Sequence, residues 1–386
     1  MKVVVAMDSF KESMSSITAG KAAEAGIRRV CPEAQVCVRP LADGGEGTVK
    51  ALIQGMGGKL ESCTVTGPLG KPVSCEYGIL QDKKTAVIEM AGAAGLMLVP
   101  AEKRNPLVTT TYGVGEVIRD AIQKGCRRFI AGIGGSATND GGAGMLQALG
   151  FSILDEAGEQ IGFGAGELMR IARVSGAGAM PELAECTFRV ACDVTNPLCG
   201  PEGASAVYGP QKGASTDMIR YMDAGLARFA AAAGEVFPSA DASYPGTGAA
   251  GGLGFAFQAF LNGALEPGVK IIIEETGLAE YLKNADYVVT GEGRLDGQTV
   301  QGKAPMGVAK LAKAYGKPVL AFSGSVAADA EICNHEGIDA FFPIVRSAVN
   351  LEEAMKEENA VRNMEDTVEQ VFRLIMNLSK DGGKRS

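Results

Sequence analysis

Histidine is almost absent from this 386-residue sequence, in which His335 is the sole example. It stands at the end of a predicted helix, before Gly337, so we predict neither a Ser/His/Asp triad nor a histidine-based metal site. The nine cysteines contain no Cys-x-x-Cys pair. Because Cys37, Cys75 and Cys192 lie in apolar stretches, we expect reduced, buried thiols rather than disulfides or zinc ligands.

Long apolar runs and an excess of basic residues are also missing. No apolar stretch reaches the length of about 18 residues that a membrane-spanning helix needs, and Lys2 to Met7 read as a strand rather than a cleavable leader. The balance of 37 basic against 45 acidic residues offers no basic surface for nucleic acid or anionic membranes. We therefore expect a soluble, cytoplasmic protein with small-molecule partners, no nucleic-acid or membrane partner, and homo-oligomerisation left open.

Hydrophobic periodicity indicates an α/β fold with two domains, which the chain length also favours. Strands and helices alternate at both chain ends, and this rhythm predicts one Rossmann-like parallel sheet built from residues 1–60 and 285–386. The middle, 61–284, reads as a second α/β domain inserted into the first. Two connections between the domains favour a ligand site in a cleft between them.

Element bounds follow from the same periodicity. Near the start we predict strands over 2–8 and 35–41 and helices over 15–30 and 46–56. Near the end we predict strands over 286–290, 318–322 and 340–345 and helices over 305–315, 327–336 and 351–378.

Two glycine-rich segments, Gly132–Gly144 and Thr290–Lys303, are each predicted to form a turn between a strand and a helix, where backbone N–H groups can bind an anion. In the second segment Gly297, Gly302 and Lys303 have the spacing of a Walker A loop. Ala304 occupies the position where that loop needs Ser or Thr for Mg²⁺. An ordinary P-loop is therefore disfavoured, and the alternatives are a different anion-binding turn and a solvated turn with a lysine.

Charged side chains follow further predicted strands, at the sheet edge where parallel sheets bind ligands. Asp8-Ser9-Phe10-Lys11 follows the first strand, and Asp43 with Gly44 and Gly45 follows the second. Lys11 can neutralise an anion, and the carboxylates suit Mg²⁺ or a substrate hydroxyl. The alternative for both segments is an ordinary helix N-cap with an acidic first turn.

The middle of the chain carries a second set of polar turns. Gly134 and Gly135 precede hydroxyl and amide side chains in a turn that suits nucleotide phosphates with Mg²⁺. Asp193 ends a predicted strand over 188–192, and Lys212 lies in a cationic turn. Either could be a purely structural turn. Phosphoryl transfer fits such residues, because it requires positioning and charge neutralisation more than a covalent nucleophile.

Six segments resemble, in order along the chain, the signatures of type I glycerate kinases: Asp8–Ser13, Ala42–Thr48, Gly134–Gly142, Ala191–Leu198, Gly209–Ala214 and Thr290–Asp296. One departure is Met7, where that family usually has proline. The resemblance implies ATP-dependent phosphorylation of D-glycerate, usually at the 2-hydroxyl, with Mg²⁺, in glycolate, glyoxylate or sugar-diacid catabolism. It also implies two α/β domains with the catalytic cleft between them.

Site residues are assigned on this basis. Asp193 and Asp296 are predicted to divide two roles, with one binding Mg²⁺ and the other orienting or deprotonating the glycerate hydroxyl, and Lys11 joins them as a catalytic cation. Substrate binding is assigned to Ser9, Asp43, Arg294 and Lys303. ATP binding is assigned to Gly134, Gly135, Ser136, Thr138, Asn139 and Lys212. Phosphorylation at the 3-hydroxyl, another hydroxy acid, and a non-catalytic regulator that binds a small acid remain alternatives.

Overall fold

The computed structural model describes residues 1–42, 44–45 and 47–382. The chain divides into two compact units, Met1–Asp43 with Val269–Ser386, and Gly44–Gly268. We call them the terminal unit and the central unit. The boundaries expected from the sequence, 60/61 and 284/285, lie later than both of these divisions. The predicted ligand cleft between domains stays a prediction.

Strands β1 to β13 of the described chain are Lys2–Met7, Gln35–Val38, Gly58–Thr66, Pro72–Leu80, Thr85–Glu89, Arg128–Gly132, Ser152–Leu154, Arg173–Ser175, Thr187–Ala191, Ala264–Glu266, Tyr287–Leu295, Val319–Val326 and Ala340–Pro343. Helices α1 to α14 are Ser16–Val30, Thr48–Met56, Ala91–Ala94, Tyr112–Gln123, Ala143–Ala148, Ala204–Tyr208, Thr216–Gly234, Ala249–Leu261, Gly268–Glu275, Leu278–Leu282, Ala304–Ala314, Ile332–His335, Leu351–Met355 and Glu357–Gly382. Short 3₁₀ helices span Leu96–Leu98, Ala101–Lys103, Ala165–Arg170, Pro181–Glu185, Pro210–Lys212 and Thr299–Gln301.

The terminal unit is built on a parallel sheet with the strand order β13-β12-β11-β1-β2. Strand β1, from the start of the chain, pairs in parallel with β11 from its later part, as in the pair Val5 and Val289. The prediction that both chain ends form one parallel sheet is confirmed. Val5 and Met7 of β1 join Ile27 of α1 and Phe372 of α14 in one buried core.

Strand β1 lies between β2 on one side and β11 on the other. A parallel sheet whose chain order changes direction at one strand leaves a crevice there, outside the carboxyl ends of the strands. The first loop of the chain and the loop after β11 both leave the sheet at this edge. The topology therefore places two of the predicted site segments side by side.

Strand β11 is longer than predicted. We expected it to end at 290, but it continues to Leu295 because its pairing with β12 continues, through Arg294 with Ser325 and Leu295 with Val326. The prediction of a turn beginning at Thr290 is therefore wrong. Gly291 and Gly293 suggested a turn, yet Gly291 is a strand residue on which a Cβ atom would lie 2.0 Å from the carbonyl oxygen of Phe322.

Two predicted helices of the terminal unit are also corrected. The helix expected over 327–336 is helical only at Ile332–His335. The helix expected over 351–378 is two helices, α13 and α14, because Lys356 between them has an extended backbone with φ −58° and ψ 127°. His335 ends α12, as expected of a structural residue.

The central unit contains a sheet with the order β10-β9-β6-β5-β4-β3, in which β3, β4 and β5 pair antiparallel and the other neighbours pair parallel. Helix α2, predicted to belong with the chain start, lies in this unit because Val49 and Ile53 cover Gly78 of β4. Strands β7 and β8 form a separate antiparallel pair outside the sheet. Sequence periodicity cannot show this change of unit, since α2 continues the strand and helix rhythm of the chain start.

The structure bears on two expectations from the sequence, one about the cysteines and one about membrane-spanning helices. All nine cysteines are free thiols; Cys75 is buried, but Cys37 and Cys192 are only half-buried, so the expectation of burial is wrong for those two. Among the described residues, no helix is long and apolar enough to cross a membrane.

Candidate active site

The first loop of the chain begins directly where β1 ends. The backbone N–H of Asp8 donates to the Gly291 carbonyl at 2.9 Å, which fixes the loop against β11. The Asp8 carboxylate is buried and accepts a hydrogen bond from the Ser9 N–H at 2.7 Å. A tight turn follows, in which the N–H of Phe10 donates to the carbonyl of Met14 at 2.8 Å and Lys11 is exposed.

A cavity of about 790 Å³ opens at this edge of the terminal unit. The predicted site residues that line it are Ser9, Lys11, Arg294, Asp296 and Lys303. Asp8 and Glu292 also contribute carboxylates to its wall. Residues far apart in the sequence are thus brought to one polar surface because β1 and β11 are neighbours.

Lys303 lies between two carboxylates of the cavity. Its Nζ atom is 3.4 Å from Asp296 Oδ1 and 3.6 Å from Glu292 Oε2. Burial opposes ionisation of Asp296, but Lys303 nearby holds the pKa of Asp296 below its ordinary value. Asp296 is therefore a stable carboxylate at neutral pH, suited to binding a cation or accepting a hydrogen bond.

Glu292 is a charged cavity residue that was absent from the predicted site residues. It is 8% exposed, accepts a hydrogen bond from Thr299 Oγ1 at 2.8 Å, and burial raises its pKa. The predicted turn from Thr290 is the reason, because a carboxylate in a solvated turn is common and does not by itself indicate a ligand site. Recognising that β11 continues to Leu295 would have placed Glu292 on a strand close to the ligand edge.

The Walker-like segment adopts a different structure from a Walker A loop, and its binding of an anion stays a prediction. Thr299–Gln301 form a 3₁₀ helix, and Lys303 is the N-cap of α11, with Pro305 in the first turn as predicted. Lys303 pairs with the two carboxylates described above. The near match to Walker A therefore marks a lysine held by acids at a helix start.

The glycine-rich loop of the central unit, Gly132–Gly144, is organised by Asp140. This carboxylate is 1% exposed and accepts hydrogen bonds from both the N–H and the Oγ1 of Thr111, at 2.8 and 2.9 Å. It also accepts from the N–H groups of Gly142 and Gly144 at 3.2 and 3.3 Å. Burial raises the pKa of Asp140, and these four donors oppose that shift.

Lys212 supports the same loop through hydrogen bonds from its buried side chain. Its side chain is 1% exposed, and Nζ donates to Ser136 Oγ at 2.8 Å and to the Thr138 carbonyl at 2.6 Å. Burial lowers the pKa of Lys212 to about 7, although the charge of Asp140 opposes this shift. A lysine predicted to contact nucleotide phosphate is thus bonded inside the protein, and its contact with a ligand stays a prediction.

The other predicted residues of this loop differ in accessibility. Gly134 and Gly135 are exposed, and Gly135 has a left-handed backbone with φ +75°. Asn139 donates from Nδ2 to Ser205 Oγ at 2.8 Å. Within the described residues, Asn139 Oδ1 and Thr138 Oγ1 are buried without a hydrogen-bond partner. The loop therefore presents its backbone at Gly134 and Gly135 and keeps its side chains inside.

Asp193 follows β9 in the central unit and is exposed. Its Oδ1 atom accepts a hydrogen bond from the Gly268 N–H at 2.9 Å. Asp193 and Asp296 thus belong to different units. Asp43, the remaining predicted substrate residue, lies outside the described residues.

Mg²⁺ is the metal expected at this site. Across 1–42, 44–45 and 47–382, no group of three or more His, Cys, Asp or Glu side chains could hold a metal ion. Mg²⁺ needs fewer protein ligands than that, because it is commonly bound by one or two carboxylates together with waters and substrate phosphates. The half-buried, ionised carboxylate of Asp296 fits such a partial site, so the residues present suit a metal that arrives with phosphate.

Residues 3–376 match the sequence model described as "Glycerate kinase family". The chain belongs to the glycerate kinase family. It is 50% identical over 367 residues to a glycerate kinase from Halalkalibacterium halodurans, covering 94% of this chain and 97% of that protein. It is 49% identical over 356 residues to glycerate 2-kinase from Escherichia coli, covering 92% and 93%.

A solved structure agrees with this membership. A crystal structure provisionally described as glycerate kinase 2 from Salmonella typhimurium LT2 superposes with a TM-score of 0.91 at 44% identity, covering 98% of this chain and 99% of that one. The predicted resemblance and α/β fold class are confirmed. As a glycerate kinase family member, the chain is an enzyme that phosphorylates glycerate.

Proposed function

We propose that this glycerate kinase family enzyme transfers the γ-phosphoryl group of ATP to the 2-hydroxyl of D-glycerate, giving 2-phospho-D-glycerate and ADP. The observation that carries the proposal is the terminal-unit cavity, where Lys11, Arg294 and Lys303 meet Asp8, Glu292 and Asp296. Cations recognise a small acid and phosphate, and carboxylates recognise a hydroxyl or a divalent cation.

Arg294 is our first choice for the glycerate carboxylate. Its side chain is 68% exposed and 3.6 Å from Asp296, so a ligand can reach its guanidinium. A guanidinium matches a carboxylate with two parallel hydrogen bonds, which a lysine cannot do. Lys11, Ser9, Lys303 and Asp43 are proposed to complete the binding of the acid and of the transferring phosphoryl group.

Asp296 and Asp193 are proposed to divide the metal and hydroxyl roles. The lowered pKa of Asp296 keeps it ionised, so it can bind a cation or accept the proton of the glycerate hydroxyl. Bound Mg²⁺ would supply charge neutralisation on the phosphoryl oxygens. The hydroxyl oxygen forms a bond to the γ-phosphorus as the bond to the ADP oxygen breaks, and the hydroxyl proton leaves to the carboxylate.

The glycine-rich loop is proposed to bind ATP phosphates through its exposed backbone at Gly134 and Gly135. Ser136, Thr138 and Asn139 shape this loop, and Lys212 holds it from below. Preorganised backbone donors stabilise developing charge without reorganisation during the reaction. A cytoplasmic location, self-association and a role in glycolate, glyoxylate or sugar-diacid catabolism stay predictions.

The test is a coupled assay of ADP release from ATP and D-glycerate, with and without MgCl₂, followed by ³¹P NMR of the product. We expect D-glycerate- and Mg²⁺-dependent turnover and a resonance of 2-phosphoglycerate. A resonance of 3-phosphoglycerate would move the acceptor to the other hydroxyl. Turnover only with other hydroxy acids would show that D-glycerate is not the substrate. Turnover in the presence of a metal chelator would show that the reaction does not require Mg²⁺.

A further inference from the structure

One wall of the terminal-unit cavity is apolar and open, in contrast to the charged edge described above. It consists of Ile344 and Val345 after β13, Val349, and Leu351 and Met355 of α13, which we call the apolar shelf. Three large aliphatic side chains of the shelf are exposed, with Val345 at 37%, Val349 at 49% and Leu351 at 73%. An exposed apolar patch of this kind is typical of a binding surface.

The shelf is held in place by its own contacts. The N–H of Ile344 donates to the Ser323 carbonyl at 2.8 Å. Asn350 caps α13 by accepting from the Glu353 N–H at 2.8 Å, and Arg346 forms an ion pair with Asp366 of α14. The exposed aliphatic groups therefore sit on an anchored segment at one side of the cavity.

Glycerate cannot account for this wall. It has three carbons, each bearing oxygen, and so it has no apolar face that could cover aliphatic side chains. The cavity of about 790 Å³ also lies in the range of about 300–1,000 Å³ that suits drug-sized ligands. A larger ligand with one flat apolar part and one anionic part fits both walls.

We infer that the apolar shelf binds the adenine ring of ATP, with the γ-phosphate directed toward Arg294, Lys303 and Lys11 at the charged edge of the same cavity. Phosphoryl transfer requires the γ-phosphate to meet the glycerate hydroxyl, so both anions must converge on the same charged edge. The half-buried carboxamide of Asn363 also lines the cavity and offers a donor and an acceptor. These groups match the N6 and N7 edge of adenine.

This inference rests on the proposed function in taking ATP as the phosphoryl donor, but its test separates the two. Photolabelling with 8-azido-ADP, with excess ADP as competitor, reports the position of the base without any turnover. We expect covalent label in peptides covering residues 344–363, and we expect excess ADP to suppress it. Competed label confined to other peptides, such as one covering residues 134–144, would overturn the inference.

A matched pair of variants gives the second readout. Leu351→Gln should raise the KM for ATP by about 4- to 15-fold, the range for one or two lost methylene contacts, and leave the KM for glycerate unchanged. Leu374→Gln changes another exposed leucine, 60% exposed on α14 and absent from the cavity wall, and should leave both values unchanged.

The possible outcomes are distinct. Normal kinase activity with an unchanged KM for ATP in Leu351→Gln overturns the shelf inference and leaves the proposed function standing. Absence of wild-type kinase activity removes the proposed function, while competed label at 344–363 would still place an adenine nucleotide on the shelf. If excess ADP suppresses no label in any peptide, and crosslinking joins the shelf to a second copy of the chain, the inference is overturned and the shelf is an interface between copies.

Discussion

The terminal and central units both have charged residues at loops that are predicted to bind ligands. The two units differ in how far these charged side chains are exposed to solvent. In the terminal unit the side chain of Arg294 is 68% exposed and that of Lys303 is 37% exposed. In the central unit Lys212 and Asp140 are each 1% exposed. Open charges can exchange water for a ligand, whereas buried charges are already bonded within the protein and order the backbone around them.

The two arrangements suggest different contributions to catalysis. The open cavity can discriminate ligands by charge and shape, since its side chains are accessible. The glycine-rich loop presents backbone groups whose positions depend on buried bonds from Lys212 and Asp140. Substitutions in the terminal unit should therefore alter kinetic constants, and substitutions under the central loop should alter stability as well.

The largest expected effect is on turnover. Asp296→Asn and Asp193→Asn should each lower kcat by about 100-fold or more, the size of general acid–base and charge-positioning effects, with little change in the unfolding midpoint. Steady-state kinetics and urea unfolding check both parts. Asp217→Asn, whose side chain is 94% exposed, is the control and should be silent. Near-normal turnover in both active-site variants would contradict the role assignment.

The next effect tests whether the central loop depends on buried bonds. At pH 9, Lys212→Met should destabilise the protein by about 1–3 kcal/mol, because it leaves the Thr138 carbonyl and Ser136 hydroxyl without their donor. Urea unfolding measures this loss, and the exposed Lys103→Met serves as control. An equally small change in both variants would mean that Lys212 does not support the loop.

The stability that Lys212 contributes should also depend on pH, in a direction that follows from its pKa. The pKa of Lys212 falls on folding from 10.5 to about 7, so between these values the unfolded chain binds the extra proton. Stability contributed by this group must therefore rise with pH across that window. The stability difference between wild type and Lys212→Met should increase from pH 7 to pH 9.5, and a flat difference would show that the amine is not desolvated.

A smaller effect tests the open cavity. Arg294→Lys should raise the KM for glycerate about tenfold and affect the KM for ATP less, because a lysine cannot make the paired hydrogen bonds to a carboxylate. The matched control is Arg220→Lys, whose side chain is 78% exposed in the central unit. If the KM for ATP alone rises, Arg294 belongs to the nucleotide.

The smallest effect concerns Glu292, a buried carboxylate of the terminal unit. Its pKa is raised on folding, so its ionisation costs stability as the pH rises above its ordinary value of 4.5. Glu292→Gln should gain about 1 kcal/mol or less relative to wild type at pH 8 and nothing at pH 4, by urea unfolding. The exposed Glu280→Gln is the control. A loss at pH 8 would mean that the pairing with Lys303 outweighs burial.

Much of the terminal-unit fold could be predicted, because parallel strands and amphipathic helices leave local hydrophobic patterns. The bounds of α1 and β1 and the pairing of both chain ends follow from such patterns. The membership of α2 in the central unit and the full length of β11 could not be predicted. Both depend on partners distant in the chain, namely β4 and β12.

The α/β class, the resemblance to glycerate kinases and the set of charged loop residues can all be identified from the order of the amino acids. Which of those residues share a surface depends on how the chain folds. It brought Lys11 to Arg294 and Lys303, and it buried Lys212 against Ser136, 76 positions away in the chain. Local patterns do not record this, because the burial of a side chain, and with it its charge and its availability to a ligand, depends on contacts between distant segments.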